Sequence, residues 1–180
     1  LGTFPARFSL EITVMKLYTK PGACSMADHI ALHWIGKPFD VQVMDAASMK
    51  TPEFLALNPA GAVPVLEVDG WVLTQNAAIL SFLADSFPVS GLGGDGTPKH
   101  RAEINRWLAF LNADLHTAFH PIFGSTRYLG DDTVIEQTQE HARTKLRALF
   151  ERVDAQLAGQ DWLAGTRSIA DPYLFVTLRW

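Results

Sequence analysis

Cys24 is the only cysteine of the chain, and it stands where a short β-type run gives way to a predicted helix. The run ends in the turn dipeptide Pro21-Gly22, and helical periodicity begins directly after the cysteine. The start of a helix carries partial positive charge and unpaired N–H groups, which favour a thiolate over a thiol. Cys24 is therefore a candidate for thiol chemistry, with a small buried apolar residue as the alternative.

Two further segments bear groups that bind peptides and carboxylates. In Val63-Pro64, a proline opens a predicted strand, where the preceding peptide bond is often cis and the residue before it offers free N–H and C=O groups. Gln75-Asn76 stands where a strand meets a helix, and the N–H groups of a helix start hold carboxylates. Together with Cys24, these segments indicate a site for a small acidic peptide that carries a thiol. Without a ligand, Val63-Pro64 has a structural role and Gln75-Asn76 is an ordinary helix start.

The elements that position these residues alternate between strand and helix in the first half of the chain. The pattern predicts strands at Lys16–Thr19, Phe39–Met44, Val63–Val68 and Trp71–Thr74, and helices at Ser25–Ile35, from Thr51, and at Asn76–Phe87. The order β-α-β-α-β-β-α within about eighty residues predicts a small α/β sandwich, whose mixed sheet holds a parallel pair and a hairpin.

Local signals fix several of these boundaries. Ser25-x-x-Asp28 resembles a capping box, and Gly36 follows the first helix where a C-terminal glycine is expected. Thr51 is a predicted cap with Pro52 in the first turn. Asp69-Gly70 predicts the turn of the hairpin, and Phe39, Val41 and Val43 alternate onto one face of the second strand.

The second half reads as all helical. Residues 88–98 are rich in glycine and proline and predict a linker between an α/β domain at 15–87 and a helical domain at 99–180. Long amphipathic helices are predicted at 99–120 and at Thr133–Leu157, and Ser168-Ile-Ala-Asp171 opens a third with a capping-box variant. Because that apolar run continues to Trp180 without a cap, we expect the helical domain to be incomplete. Residues 1–14 read as an extension with no assigned role.

Composition narrows the function classes. The 180 residues carry a net charge of −4, which gives no reason to expect nucleic acid or an anionic membrane as a partner. No segment is apolar enough for a membrane span, and one cysteine fits a reducing, cytoplasmic compartment. His29 with His33 and His116 with His120 have helical ligand spacing, but each lacks a third ligand nearby, so we expect no metal site.

Five motifs in this order resemble the bacterial beta-class glutathione transferases, a cysteine-bearing class, over about residues 15–180. They are Lys16-Leu-Tyr-Thr-Lys-Pro-Gly-Ala-Cys24-Ser, Asn58-Pro-Ala-Gly-Ala-Val-Pro64, Leu73-Thr-Gln-Asn76, Asp114-Leu-His116 and Ser168-Ile-Ala-Asp171-Pro-Tyr-Leu-Phe. The resemblance implies a thioredoxin-like domain that binds glutathione, followed by a helical domain that supplies the pocket for a small hydrophobic electrophile. It also implies a homodimer.

The resemblance assigns roles residue by residue. Cys24 would lie beside the glutathione sulfur, with His116 reaching toward the same side. Val63 would pair with the cysteinyl backbone and Pro64 would be the cis proline. Gln75 and Asn76 would hold the γ-glutamyl end, with Lys50 as a candidate contact to the glycyl end. Of these residues, Cys24 and His116 are the ones that the resemblance implies to be catalytic.

Two positions depart from the family pattern: Asn76 stands where serine is usual, and Thr117 where lysine is common. The implied activity is conjugation or reduction of small hydrophobic electrophiles with glutathione, with the helix start and His116 lowering a thiol pKa. A thiol–disulfide reductase or dehalogenase that works through a Cys24 mixed disulfide is an alternative. A non-catalytic binding or regulatory protein on the same fold is another.

Overall fold

A computed structural model describes residue 12 and residues 14–180 of the chain, so nearly all of the predicted extension lies outside the described residues. The chain divides into two units, with the boundary between Ser90 and Gly91. Each unit has its own buried core of aliphatic and aromatic side chains.

The first unit is built on one mixed sheet of four strands in the order β2-β1-β3-β4. The strands are β1 (Met15–Thr19), β2 (Asp40–Val43), β3 (Val65–Val68) and β4 (Trp71–Thr74). β1 and β2 run parallel, whereas β1–β3 and β3–β4 are antiparallel. The predicted hairpin turn is confirmed, because Asp69 and Gly70 have φ values of 48° and 81°, as a tight two-residue turn requires.

Helices cover both faces of this sheet: α1 (Met26–Ile35), α2 (Pro52–Leu57) and α3 (Asn76–Ser86). Because side chains alternate along a strand, Leu17 and Leu66 face one side, where α1 and α3 pack together. Val65 faces the other side and packs with Phe54 of α2. The α/β sandwich expected from the sequence is therefore confirmed.

Two helix boundaries follow the local signals, and a third does not. Gly36 ends α1 with a φ of 72°, and the Thr51 hydroxyl accepts from the Phe54 N–H at the start of α2, as predicted. The capping box at Ser25 is wrong. Ser25 already has helical φ and ψ, and its hydroxyl accepts instead from the Thr19 hydroxyl at 2.9 Å and the Lys20 N–H at 3.1 Å.

The second predicted strand is shorter than expected and lies at the edge of the sheet. β2 begins at Asp40, and its residues are exposed, including Val41 and Val43. Phe39 precedes the strand and packs edge-on against the rings of His29 and His33 on α1. As an edge strand, β2 pairs with β1 on one side, and no strand pairs with its other backbone edge in the described sheet.

The second unit is helical. It contains α4 (Pro98–Ala109), a π-helical segment (Phe110–Leu115), α5 (His116–Ala118), α6 (Asp132–Leu157) and α7 (Ala170–Leu178). The predicted helix at 99–120 is thus interrupted by a wider turn directly before His116. Leu92, predicted as linker, is fully buried, and its carbonyl accepts from the Ile169 N–H at 3.1 Å.

The capping motif before α7 is confirmed. The Asp171 carboxylate accepts from the Ser168 N–H at 2.7 Å, and the Ser168 hydroxyl accepts from the Ala170 N–H at 3.3 Å. The other Asp171 oxygen accepts from the Leu163 N–H at 3.0 Å, which ties the preceding loop to the helix start. Among residues 14–180, every helix is too short or too polar to span a bilayer.

Candidate functional site

Cys24 lies half-buried just before α1, in the turn that follows β1. Its thiol points to the carbonyl oxygen of Val63, with the sulfur 3.9 Å from that oxygen. Its own carbonyl oxygen accepts from the Ala27 N–H at 2.9 Å in the first turn of α1. The sequence separates Cys24 and Val63 by almost forty positions, and the sheet brings them together.

The electrostatic surroundings of Cys24 are opposite to those predicted from its place at a helix start. Burial, and second the charge of Asp28, raise the pKa of the Cys24 thiol from 9.0 to about 12. The backbone N–H groups of Ser25 and of Cys24 itself lower that pKa, as the helix start should, but by less. Desolvation outweighs the helix dipole because burial removes the water that would otherwise stabilise a thiolate.

The peptide bond between Val63 and Pro64 is cis, as predicted. Pro64 is buried, whereas Val63 is half-exposed at the start of β3. The Val63 N–H has no hydrogen-bond partner within residues 14–180. An unpaired N–H beside a carbonyl that faces the thiol leaves a short backbone edge on which an extended peptide can pair.

Gln75 and Asn76 occupy the start of α3 in different ways. Gln75 is exposed and has a φ of 75°, a left-handed conformation that costs a residue with a side chain about 1–3 kcal/mol. Asn76 is the first helical residue and is buried. Among the described residues, no side chain caps this helix.

The Asn76 side chain instead connects two helix starts. With its amide oriented to match its neighbours, Nδ2 donates to the Cys24 carbonyl at 2.9 Å and to Asp28 Oδ2 at 2.9 Å. Asp28 is fully buried, and its Oδ1 has no hydrogen-bond partner among the described residues. Sequence reasoning assigned Asp28 to a cap. The available signal was its position four residues after Cys24, on the helix face that also carries the apolar residues Ala31 and Leu32.

Lys50 ends a short 3₁₀ turn over Ser48–Lys50 and is exposed. Its N–H donates to the Ala47 carbonyl at 3.0 Å. Its ammonium group has no ion pair within residues 14–180. The Lys50 ammonium group is therefore available to pair with an anion, and no group in the described part of the chain fixes its position.

His116 lies in the second unit, directly after the π-helical segment. Its Nδ1 is 2.6 Å from the hydroxyl oxygen of Tyr173, and its ring centre is 4.7 Å from that of Trp180. Burial, and second the charge of His120, lower the pKa of His116. Burial therefore favours the neutral form of the His116 imidazole, which can take part in hydrogen bonds on the sulfur side.

The two histidine pairs have their rings close together. The ring centres are 4.9 Å apart for His29 and His33, and 5.7 Å apart for His116 and His120. No third His, Cys, Asp or Glu completes a metal-binding group in the part of the chain that the structure describes. Thr117, the position after His116, donates its hydroxyl to the Ala113 carbonyl of its own helix.

Both units match known families. The profile described as glutathione S-transferase, N-terminal domain, matches residues 23–86, and that described as glutathione S-transferase, C-terminal domain, matches residues 111–180. The glutathione S-transferase GST-4.5 of Xanthomonas campestris pv. campestris is 66% identical over 167 residues, which cover 92% of this chain and 82% of that protein.

Solved structures agree. A glutathione S-transferase from Xylella fastidiosa superposes with a TM-score of 0.90 at 58% identity, over 92% of this chain and 82% of that one. A sphingomonad glutathione S-transferase complexed with glutathione superposes with a TM-score of 0.79 at 37% identity, over 92% and 81%. These matches confirm the thioredoxin-like first domain and the helical second domain. The chain therefore belongs to the glutathione S-transferase family of enzymes.

Proposed function

We propose that this chain is a cysteine-type, beta-class glutathione transferase that conjugates or reduces small hydrophobic electrophiles with glutathione. The observation that carries the proposal is the approach of the Cys24 sulfur to within 3.9 Å of the Val63 carbonyl, beside an unpaired Val63 N–H. A thiol next to a free backbone edge is the arrangement that a thiol-bearing peptide requires. The sphingomonad relative, whose structure holds glutathione, supports this choice of peptide.

The binding step follows from the polar groups of the first unit. The N–H and C=O of Val63 pair with the cysteinyl backbone of glutathione, which places its sulfur beside Cys24. Gln75 is exposed at the start of α3, where helix N–H groups favour the γ-glutamyl carboxylate. The backbone N–H of Asn76 belongs to the same helix start. Lys50 is the proposed partner of the glycyl carboxylate.

The chemical step uses the glutathione sulfur as the nucleophile. Its thiolate forms a C–S bond with the electrophile, whose leaving group departs with the bonding electron pair. A Cys24 with a pKa of about 12 stays a thiol, so it donates its S–H to that thiolate. His116, from the second unit, is proposed as a neutral hydrogen-bonding helper on the sulfur side, held through Tyr173.

The alternative reaction through a Cys24 mixed disulfide needs a Cys24 thiolate. Because burial raises the pKa of the Cys24 thiol to about 12, the thiolate is strongly disfavoured at pH 7, which argues against the reductase or dehalogenase alternative. A non-catalytic member of the family would bind glutathione without turnover. The proposal also includes a homodimer, as is typical of the family, and a cytoplasmic location.

The test is calorimetric titration of the protein and its Cys24→Ala variant with glutathione, beside conjugation of glutathione to 1-chloro-2,4-dinitrobenzene. We expect the variant to bind glutathione and to keep conjugation, with a loss of about threefold to tenfold, the value of one hydrogen bond. Complete loss of conjugation with binding intact would favour a covalent role for Cys24. Failure of the folded wild-type protein to bind glutathione would overturn the proposal.

A further inference from the structure

We propose that Asp28 and Asn76 form a buried positioning pair that holds Cys24 in its thiol form and thereby selects conjugation over thiol–disulfide exchange. The inference rests on the proposed function only for the identity of the thiol ligand. Neither residue of the pair needs to touch glutathione with its side chain. Their effect is exerted on Cys24 through one hydrogen bond and one charge.

The Asp28 carboxyl lies in a place that does not support a negative charge. It is fully buried in the first turn of α1, and among the described residues its side chain accepts one hydrogen bond, from Asn76 Nδ2 to Oδ2. Oδ1 meets no donor among the described residues. A buried carboxylate needs several donors or a cation, so ionising this carboxyl is costly, and a second negative charge beside it costs more still. Burial accordingly raises the pKa of Asp28 well above its ordinary value.

No charged group from the neighbouring elements alters this. α3 and β1 pack most extensively against α1, and Phe39 before β2 also contacts it; none of them brings a cation or an anion that acts on the Asp28 carboxyl in the described part of the chain. Cys24 is the one titratable group coupled to Asp28. The two groups therefore share one low-dielectric environment in which the first negative charge raises the cost of the second.

Asn76 removes the donors that a Cys24 thiolate would need. An amide has two N–H protons, and here both are used, one by the Cys24 carbonyl and the other by Asp28 Oδ2. The thiol itself points to an acceptor, the Val63 carbonyl, which suits an S–H and repels a thiolate. Among the described residues, a Cys24 thiolate would therefore have backbone N–H groups as its hydrogen-bond donors and no side-chain donor.

The lone cysteine makes the test specific, because any thiol reagent reports on Cys24 alone. The pH dependence of iodoacetamide alkylation is measured for the wild type, Asp28→Asn and the smaller Asp28→Ser. Both substitutions keep a polar acceptor for Asn76 and remove the carboxyl. Asp40→Asn, an exposed position on β2, is the control for the same change in net charge.

We expect the midpoint of alkylation to fall by about one pH unit or more in both Asp28 variants, and to stay unchanged in Asp40→Asn. At fixed alkaline pH the alkylation rate should then rise about tenfold. Oxidised glutathione should give more mixed disulfide in the same variants, as the Cys24 thiolate attacks one sulfur of its disulfide and releases the other half as glutathione thiolate.

An unchanged midpoint in a folded Asp28 variant would overturn the inference, because a merely structural carboxyl would alter stability but not the titration of the thiol. A fall of equal size in Asp40→Asn would also overturn it. Glutathione titration of the same proteins separates this result from the proposed function. A wild type that fails to bind glutathione refutes the function, whereas alkylation still reports on the pair.

Discussion

Asp28 and Asp171 occupy matching places in two helices, yet their surroundings differ. Each lies in the first turn of its helix, each is buried, and burial raises the pKa of each carboxyl. Asp171 accepts from the Leu163 N–H and from both the N–H and hydroxyl of Ser168. Within residues 14–180, the Asp28 carboxyl accepts from Asn76 alone.

The difference separates a structural carboxyl from a candidate functional one. Asp171 satisfies donors that would otherwise be buried without partners, so its presence stabilises the fold. Asp28 has a carboxyl oxygen that meets no donor in the described part of the chain, which lowers stability and calls for an explanation other than stability. Buried groups that are poorly satisfied are concentrated at functional sites. Asp28 lies beside the site residue Cys24, and Asp171 has no such neighbour among the residues its hydrogen bonds reach.

Among the substitutions that test this difference, removal of the Asp171 carboxyl should have the largest effect on stability. Asp171→Ala should lower the free energy of unfolding by about 3 kcal/mol or more, because several buried donors lose their acceptor. Urea denaturation measures the loss. Asp131→Ala, which removes an exposed cap from α6, is the matched control and should cost about 1 kcal/mol. Equal losses at both positions would contradict the structural role of Asp171.

Asparagine at position 28 and asparagine at position 171 should change the free energy of unfolding in opposite directions at neutral pH. The folded pKa of Asp28 is raised, so the folded state binds more protons than the unfolded state above the unfolded value of 3.8. Stability from this group is therefore present at low pH and is lost as pH rises toward the folded pKa, by up to about 1.4 kcal/mol per pH unit. Asp28→Asn removes that slope and should stabilise the protein at neutral pH.

The measurement is the urea midpoint of the wild type and Asp28→Asn at a series of pH values. The difference between the two should grow as pH rises. In Asp171→Asn, an amide nitrogen would face the Leu163 or Ser168 donors, so that variant should be less stable throughout the same range. A destabilised Asp28→Asn at neutral pH would show that the carboxyl stabilises the fold there.

The bridge between α1 and α3 is the next weaker contact. Asn76→Ala removes both hydrogen bonds of the amide and should cost about 1–2 kcal/mol, since the Cys24 carbonyl keeps its bond from the Ala27 N–H. Urea denaturation gives the loss, and Asn105→Ala, an exposed position on α4, serves as the control. A cost no larger than that of the control would show that the amide does not connect the two helices.

The smallest expected effect compares the two serines that precede these helices. Ser168→Ala removes part of a cap, whereas Ser25→Ala removes the acceptor for the Lys20 N–H and the Thr19 hydroxyl. Each should cost about 1 kcal/mol in urea denaturation. If Ser25 capped α1, aspartate at the same position would cap the helix equally well. A Ser25→Asp variant that is as stable as the wild type would therefore favour the capping role that the structure contradicts.

Local signals in the sequence were sufficient for most of the fold. The turn at Asp69-Gly70, the end of α1 at Gly36, the cap at Thr51 and the motif at Ser168 depend on residues within a few positions of one another. Such signals act through φ preference or one short hydrogen bond, so they do not need the rest of the chain. The interruption of the helix before His116 had no comparable local signal.

The site was predictable in part. Cys24, Val63 and Pro64 were named from their types and from family motifs, and the cis bond before Pro64 is as expected. The helix start after Cys24 and the distant His116 also suggested a lowered thiol pKa, because that prediction considered only groups that favour a thiolate. It omitted burial and the Asp28 charge, which are produced when α1 packs on α3 and act in the opposite direction.

The order of elements, most turns and caps, and the candidates for sulfur chemistry could be read from the amino-acid sequence, because each depends on the conformational and chemical preferences of residues close together in the chain. Only the tertiary structure decided that Ser25 bonds back to β1, that Asn76 joins α1 to α3, and that Asp28 is sealed beside Cys24. The physical reason is that desolvation and long-range hydrogen bonds exist only after distant segments pack, and these set the charge state of the thiol.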